Sequence, residues 1–195
     1  MINFLQTMEY NKKIEKISKF LSYVLRHKPE SIGLVVDNNG WVCVSSLIEN
    51  SQKSIKFTVD ELRTVVATSD KQRFKFNSDE TKIMANQGHS IGVDLQLEPI
   101  EPPEKLYHGS TRNFLDTIKK EGLKKMRRHH VHMYCSKNIS VAKKTGSRHQ
   151  GEHNAVVLEI NAKKMYDDGF TFFKTDNDVY LTDFVPDVYL TELPD

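Results

Sequence analysis

The stretch Asp94-Leu95-Gln96-Leu97-Glu98-Pro99-Ile100-Glu101-Pro102-Pro103 divides the chain into two halves that obey different periodicities. Three of the six prolines lie in it, and proline fixes its own φ while steering the preceding residue away from helix, so the stretch reads as extended. Before it, apolar residues recur at helical spacing. After it, short β-rich runs dominate. A chain of 195 residues can bury two separate small cores. The sequence therefore predicts a lobe over residues 1–94, a linker over 95–103 and a second lobe over 104–195.

In the first half, Ile14, Ile17, Phe20, Leu21, Val24 and Leu25 form one apolar stripe of a helix that Pro29 ends. Asp37-Asn38-Asn39-Gly40 is a turn and Trp41-Val42-Cys43-Val44 a short strand. Ser46-Leu47-Ile48-Glu49 opens a second helix, with Ser45 or Ser46 as its cap. Thr58-Val59-Asp60-Glu61 is a capping box, and the helix it starts turns Leu62, Val65 and Val66 inward. Arg73–Phe76 and Lys82–Ala85, joined by Asn77-Ser78-Asp79-Glu80, make a hairpin. Three helices closed by a hairpin is the winged-helix arrangement.

In the second half, strands are expected over 105–108, 130–134, 155–160 and 178–182. Helices are expected over 114–121, ended by Gly122, and over 139–145, ended by Gly146. The fold class is α+β, with a mostly antiparallel sheet in the second lobe.

Charge bounds the function. Net charge is only +2, yet Lys119–Arg148 carries ten Lys or Arg against the single acid Glu121, and from Gln150 onward three lysines face ten acids. So weak an overall charge argues against a protein that coats nucleic acid indiscriminately; the basic block suits a solvated surface or a small, local phosphate contact. No apolar run is long enough to span a membrane and no secretory leader is signalled. Two cysteines, Cys43 and Cys135, form no disulfide framework and suit a reducing cytoplasm.

Arg26 and His27 fall at the exposed end of the first helix, followed by Lys28. A guanidinium presents a planar fork of donors suited to phosphate, and the adjacent imidazole can donate or move a proton. The same residues would also complement a helix dipole. Leu106-Tyr107-His108-Gly109-Ser110 is a strand ending in a turn, where glycine permits close backbone approach and the aromatic and imidazole offer stacking and hydrogen bonds. Arg128-His129-His130-Val131-His132 with Cys135 is rich in zinc-type ligands, but strand alternation splits the imidazoles and no CxxC or HExxH completes a set. A polar and aromatic wall for a nucleotide fits better, and no metal is expected. Gly146-Ser147-Arg148-His149 follows a helix, Asn86-Gln87-Gly88-His89-Ser90 closes the first lobe, and Arg73 opens the hairpin.

The order and spacing of these runs resemble the RNA 2′-phosphotransferase family. The resemblance spans Ile17 to Leu190 through Leu25-Arg26-His27-Lys28-Pro29, Gly33-Leu34, Gly40-Trp41-Val42, Lys71-Gln72-Arg73-Phe74, Asn86–Ser90, Leu106–Gly109, Arg128–His132, Gly146–His149, Tyr180-Leu181-Thr182 and Val185-Pro186. It implies a winged-helix first lobe for RNA and a second lobe like an ADP-ribosyltransferase for NAD. It also implies a catalytic set of Arg26, His27, Arg73 and Arg148 contributed by both lobes. Tyr107, His108, Gly109, Ser110, His132, Ser136 and Gly146 are then expected to hold NAD. Lys28, Gln87, His89 and Ser90 are expected to meet the RNA, the last three alternatively supporting Arg73. This chain departs from the family pattern at Met133-Tyr134-Cys135-Ser136, at the longer Gln150–Asn154 segment and at Asp178, where glycine is usual.

The resemblance implies a reaction in which an RNA 2′-phosphate attacks the anomeric carbon of the NAD nicotinamide ribose and nicotinamide leaves. The ribose 2″-hydroxyl of the ADP-ribosylated RNA phosphate then attacks phosphorus, giving 2′-hydroxyl RNA and ADP-ribose 1″,2″-cyclic phosphate. Arginines suit both steps because they hold a phosphate dianion without protonating it and stabilise charge building on the phosphoryl group. The implied protein is a cytoplasmic monomer acting on 2′-phosphorylated RNA such as tRNA. Two other readings share parts of the pattern: a winged-helix regulator with a ligand domain, and an ADP-ribosyltransferase lacking phosphate removal. The helix over 60–68 is poor in phosphate- and base-reading side chains, which counts against the regulator.

Overall fold

The computed structural model describes residues 4–69, 71–147 and 154–194. The chain divides into two compact units, Met1–Gln96 and Leu97–Asp195.

The first unit runs α1 (Phe4–Arg26), β1 (Val42–Cys43), α2 (Val44–Ser51), α3 (Val59–Thr68), β2 (Phe74–Phe76) and β3 (Lys82–Ala85). The three strands pair antiparallel in the order β1-β3-β2. Helix α1 forms because Ile17, Leu21, Val24 and Leu25 align on one stripe and are completely buried. It stops where the amides of His27 and Lys28 share the Tyr23 carbonyl, at 3.0 and 3.1 Å, just ahead of Pro29. The Thr58 box closes as its sequence predicts: Glu61 N–H donates to Thr58 Oγ1 (3.2 Å) and Thr58 N–H to Glu61 Oε2 (3.0 Å).

Helix α2 departs from expectation. It begins at Val44 with Cys43 at the cap and no side-chain cap bond. Strand β1 runs straight into it, and the Val44 amide is taken by the Thr81 carbonyl at 2.9 Å, which starts the helix ahead of both serines. Ser45 and Ser46 therefore lie inside the first turn.

The second unit contains β4 (Lys105–Thr111), α4 (Arg112–Glu121), β5 (Leu123–Lys124), β6 (Val131–Tyr134), α5 (Ile139–Gly146), β7 (Ala155–Asn161), α6 (Ala162–Asp167), β8 (Phe173–Lys174), β9 (Val179–Thr182), β10 (Phe184–Val185) and β11 (Leu190–Glu192). Its main sheet has the order β11-β7-β4-β6-β9-β8, and β5 pairs with β10 apart from it. Each of these pairings is antiparallel. The chain is thus α+β with antiparallel sheets. Leu106, Met133, Leu158, Ile160, Met165 and Phe172 fill the main core of this unit.

Strand β4 extends past His108 to Thr111, and its full length pairs with β7. Gly146 does not end α5 from outside, as the sequence suggests, but forms its last residue, with Ser147 at the cap. The reason is close packing. A Cβ on Gly146 would lie 2.3 Å from the Ser110 carbonyl oxygen, and one on Gly109 only 1.7 Å from that of Ala142. Helix α5 therefore rests backbone-on-backbone against β4 at two glycines.

The stretch expected as a linker is held at both ends. Asp94 N–H donates to Asn38 O at 2.8 Å, and Asn39 Nδ2 to Gln96 Oε1 at 2.9 Å. Ile100 N–H bonds Phe172 O at 2.8 Å within the second unit. No helix among the described residues is long and apolar enough to cross a membrane.

Candidate active site

In the first unit the end of α1, the start of β2 and the segment after β3 come together. Arg26 is half-buried, with its guanidinium carbon 5.9 Å from the centroid of the Phe74 ring. Its Nη2 donates to the backbone carbonyl of Arg73 at 3.4 Å. Arg73 in turn sends Nη1 to Ser69 Oγ at 3.1 Å. Ser90 closes the arrangement from the other side: its amide bonds Arg26 O and its hydroxyl meets His27 Nδ1, both at 2.9 Å. Gly88, at φ +88°, passes beside the Arg26 guanidinium. Arg26, His27, Arg73 and Ser90, drawn from three separate stretches of sequence, thus form one connected cationic group.

The other expected RNA residues divide. Lys28 is exposed and pairs with Glu30 at 3.3 Å, and Gln87 is half-buried. His89 is 1% exposed and packs next to Gly40, whose left-handed φ of +90° lets the turn pass close to the imidazole.

In the second unit β4 and β6 lie side by side, with Tyr107 opposite Tyr134. His108 Nδ1 lies 2.8 Å from the His132 carbonyl oxygen. A carbonyl only accepts, so Nδ1 carries the proton and Nε2 the lone pair. Burial holds the His108 pKa below its ordinary value; the His132 bond opposes that shift, and the Arg128 charge adds to it. His108 is therefore a neutral imidazole of fixed tautomer near pH 7. His132 is buried, while Ser136 is exposed and opens the short turn after β6. Tyr107 is buried too, its hydroxyl donating to Glu159 at 3.3 Å while Lys105 pairs with the same carboxylate at 2.8 Å. Gly109, Ser110 and Gly146 are engaged in the β4–α5 packing described above.

Arg148 lies outside the described residues, as do His149 and the segment to His153. Sequence reading placed Arg128 in the polar run 128–132, read as a nucleotide wall, but gave it no individual role, yet its charge bears on His108. The signal was present as a second Arg-His pair, Arg128-His129, repeating Arg26-His27. Also missed was the Thr111 hydroxyl, 3% exposed and without a hydrogen-bond partner among the described residues. Asp178, the residue standing where glycine is usual, adopts φ +59°. It bonds Lys137 at 2.8 Å and Lys174 at 2.7 Å. Among the described residues no three His, Cys, Asp or Glu side chains converge as metal ligands.

A family model described as "RNA 2'-phosphotransferase, Tpt1 / KptA family" matches residues 12–184. The chain belongs to that family. A protein of Flavobacterium johnsoniae named "Probable RNA 2'-phosphotransferase" is 50% identical over 182 residues, covering 92% of this chain and 97% of its own. Proteins given the same name in Nostoc punctiforme and Fusobacterium nucleatum are 47% and 45% identical, covering 93% and 90% of this chain and 98% and 96% of their own lengths. As a member of the RNA 2′-phosphotransferase family, the chain is an enzyme that removes a 2′-phosphate from RNA.

Proposed function

We propose that the enzyme transfers an internal RNA 2′-phosphate to NAD, leaving 2′-hydroxyl RNA, ADP-ribose 1″,2″-cyclic phosphate and nicotinamide. The observation that carries this reading is the bonded group of Arg26, His27, Arg73 and Ser90. The Arg26 guanidinium anchored on the Arg73 backbone, with the His27 imidazole beside it, serves a phosphate dianion better than any neutral ligand. We read the first unit as the winged-helix RNA lobe and the second as an ADP-ribosyltransferase-like lobe. The enzyme would work as a cytoplasmic monomer on substrates such as spliced tRNA.

Arg26, Arg73 and Arg148 clamp the 2′-phosphate and the charge that builds on it. They stay protonated throughout, so they neutralise the dianion without blocking its nucleophilic oxygen. The Ser90 hydroxyl at Nδ1 orients the His27 ring, and the imidazole would donate to the phosphate or protonate the departing RNA 2′-oxygen. The second unit fits NAD by its chemistry: the neutral His108 imidazole offers an acceptor, and the buried Thr111 hydroxyl awaits a partner. His132 and Ser136 would add to that set. When bound, NAD supplies the ribose that accepts the phosphoryl group. The Arg128 charge, bearing on His108, makes Arg128 a second candidate beside Arg148 for the cation of this lobe.

A regulator that reads nucleic acid through α3 is disfavoured. Arg63, the only cation on that helix, is tied up by Glu80 at 2.8 Å and Asp60 at 3.0 Å.

Thin-layer analysis of labelled NAD incubated with a 2′-phosphorylated oligonucleotide tests the proposal. Cyclic phosphate together with dephosphorylated RNA is the expected result. Accumulation of ADP-ribosylated RNA alone, or release of phosphate without NAD, would refute it.

A further inference from the structure

Asn86 immediately follows β3 and grips the two residues ahead of β2. Its amide N–H donates to Arg73 O at 2.9 Å, and its side-chain Nδ2 donates to Gln72 O at 2.5 Å. With an oxygen in place of that nitrogen, two acceptors would face each other, so the side-chain orientation is set. Two unfavourable features meet here. Gln72 holds φ +40°, a left-handed conformation that side-chain-bearing residues seldom adopt. Asn86 Oδ1 is buried without a hydrogen-bond partner among the described residues. Strained backbone and orphaned polar atoms persist where their surroundings over-determine them, and such features gather at functional sites. Both flank Arg73, whose carbonyl also accepts from Arg26.

We infer that Asn86 is a positioning residue: it locks the left-handed turn at Gln72 and thereby aims Arg73 at the phosphate. The inference rests on the proposed role of Arg73 as a clamp. Leucine or alanine at 86 would keep the backbone bond to Arg73 and lose the hold on Gln72. Aspartate would keep the shape but bring a carboxylate against the Gln72 carbonyl.

The test uses the full chain with NAD and a 2′-phosphorylated oligonucleotide, reading kcat and KM separately. Asn86→Ala should lower kcat about ten- to hundredfold while KM for RNA changes little, the scale expected when a catalytic group is misplaced by an ångström. Adding Gln72→Gly, which removes the need to force a left-handed turn, should restore most of that loss. A purely structural role would lower thermal stability without this rescue of kcat. Should Asn86→Ala fail to fold, Asn86→Asp carries the same comparison. Folded Asn86→Ala with full kcat, or a loss that Gln72→Gly leaves untouched, overturns the inference. Arg73→Ala distinguishes the two levels: full turnover in that variant would defeat the clamp reading itself.

Discussion

The His-Gly-Ser run of β4 invites the view that Gly109 is glycine so that a ligand can come close. Its geometry gives a different first reason, and Gly109→Ala tests it. The added Cβ would sit 1.7 Å from the Ala142 carbonyl oxygen and 2.5 Å from its carbon. Both obstructing atoms are backbone, so no rotamer change can absorb the overlap, and α5 must retreat by more than about 1 Å from a close-packed seat. That retreat opens the small cluster of Tyr107, Ala142 and Val157. Ordinary overpacking costs about 1–3 kcal/mol. With no flexible partner to yield, we expect about 4 kcal/mol, in the range reserved for severe core disruption. For a unit of this size that lowers the melting temperature by roughly 15–30 °C. Thermal and urea unfolding followed by circular dichroism would measure it, with Gly92→Ala as the control. A methyl at Gly92 meets nothing within 4 Å and should shift stability by no more than about 0.5 kcal/mol. If Gly109→Ala unfolds within about 1 kcal/mol of the wild type yet loses activity, the glycine serves the ligand and the packing argument is wrong.

Other outcomes follow from the electrostatics. His108 protonates in the folded state only below its ordinary pKa, so its contribution to stability is complete above about pH 6.5 and is lost as pH falls below that value; His108→Gln should flatten that part of the stability profile. Removing the Arg128 charge lifts one of the forces depressing that pKa, so NMR titration of Arg128→Ala should show the His108 imidazole titrating at higher pH, and an unmoved titration would uncouple the two residues. Asp178 is held down to about 2 by Lys137 and Lys174; its contribution is present above the ordinary carboxylate range and disappears as pH falls toward 2, amounting to no more than about 1 kcal/mol for so exposed a pair. Asp178→Gly exchanges those ion pairs for relief of the left-handed backbone, so near-neutral melting temperatures with a flatter acid limb are expected. Arg148→Ala should cost about 2–4 kcal/mol in kcat with RNA binding largely kept; equal losses of turnover and affinity would contradict its role as a transition-state clamp.

Local rules carried much of this protein. The stripe Ile17-Leu21-Val24-Leu25 and the Thr58–Glu61 box each contain within a few residues everything needed to specify a helix or its start, and both formed where the sequence places them. Arg26, His27 and Arg73 could be singled out in the sequence because their residue types suit phosphate and their spacing matches a family, and the structure joins them through Ser90 and the Arg73 backbone. What stayed hidden depends on partners far away in sequence. Nothing in the neighbourhood of Gly109 reveals that Ala142 will press against it, and nothing around Asn86 shows that its amide reaches back to Gln72. The effect of Arg128 on His108 crosses twenty positions and a strand boundary. Strands β8, β10 and β11 are two or three residues long, too short for alternation to register; β8 and β11 exist because the longer β9 and β7 offer them an edge, and β10 because it meets the equally short β5.

The seat of Gly146 on Ser110 reaches beyond packing. Arg148 is only two peptide units further along, so the chain sets out toward it from a fixed mooring at the end of β4. Enlarging the residue at either end of that contact would shift Ser147, the last described residue before the arginine. The end of α5 is thus tied to the same strand whose residues face β6 and β7, so a change at this seat is felt on both sides of it.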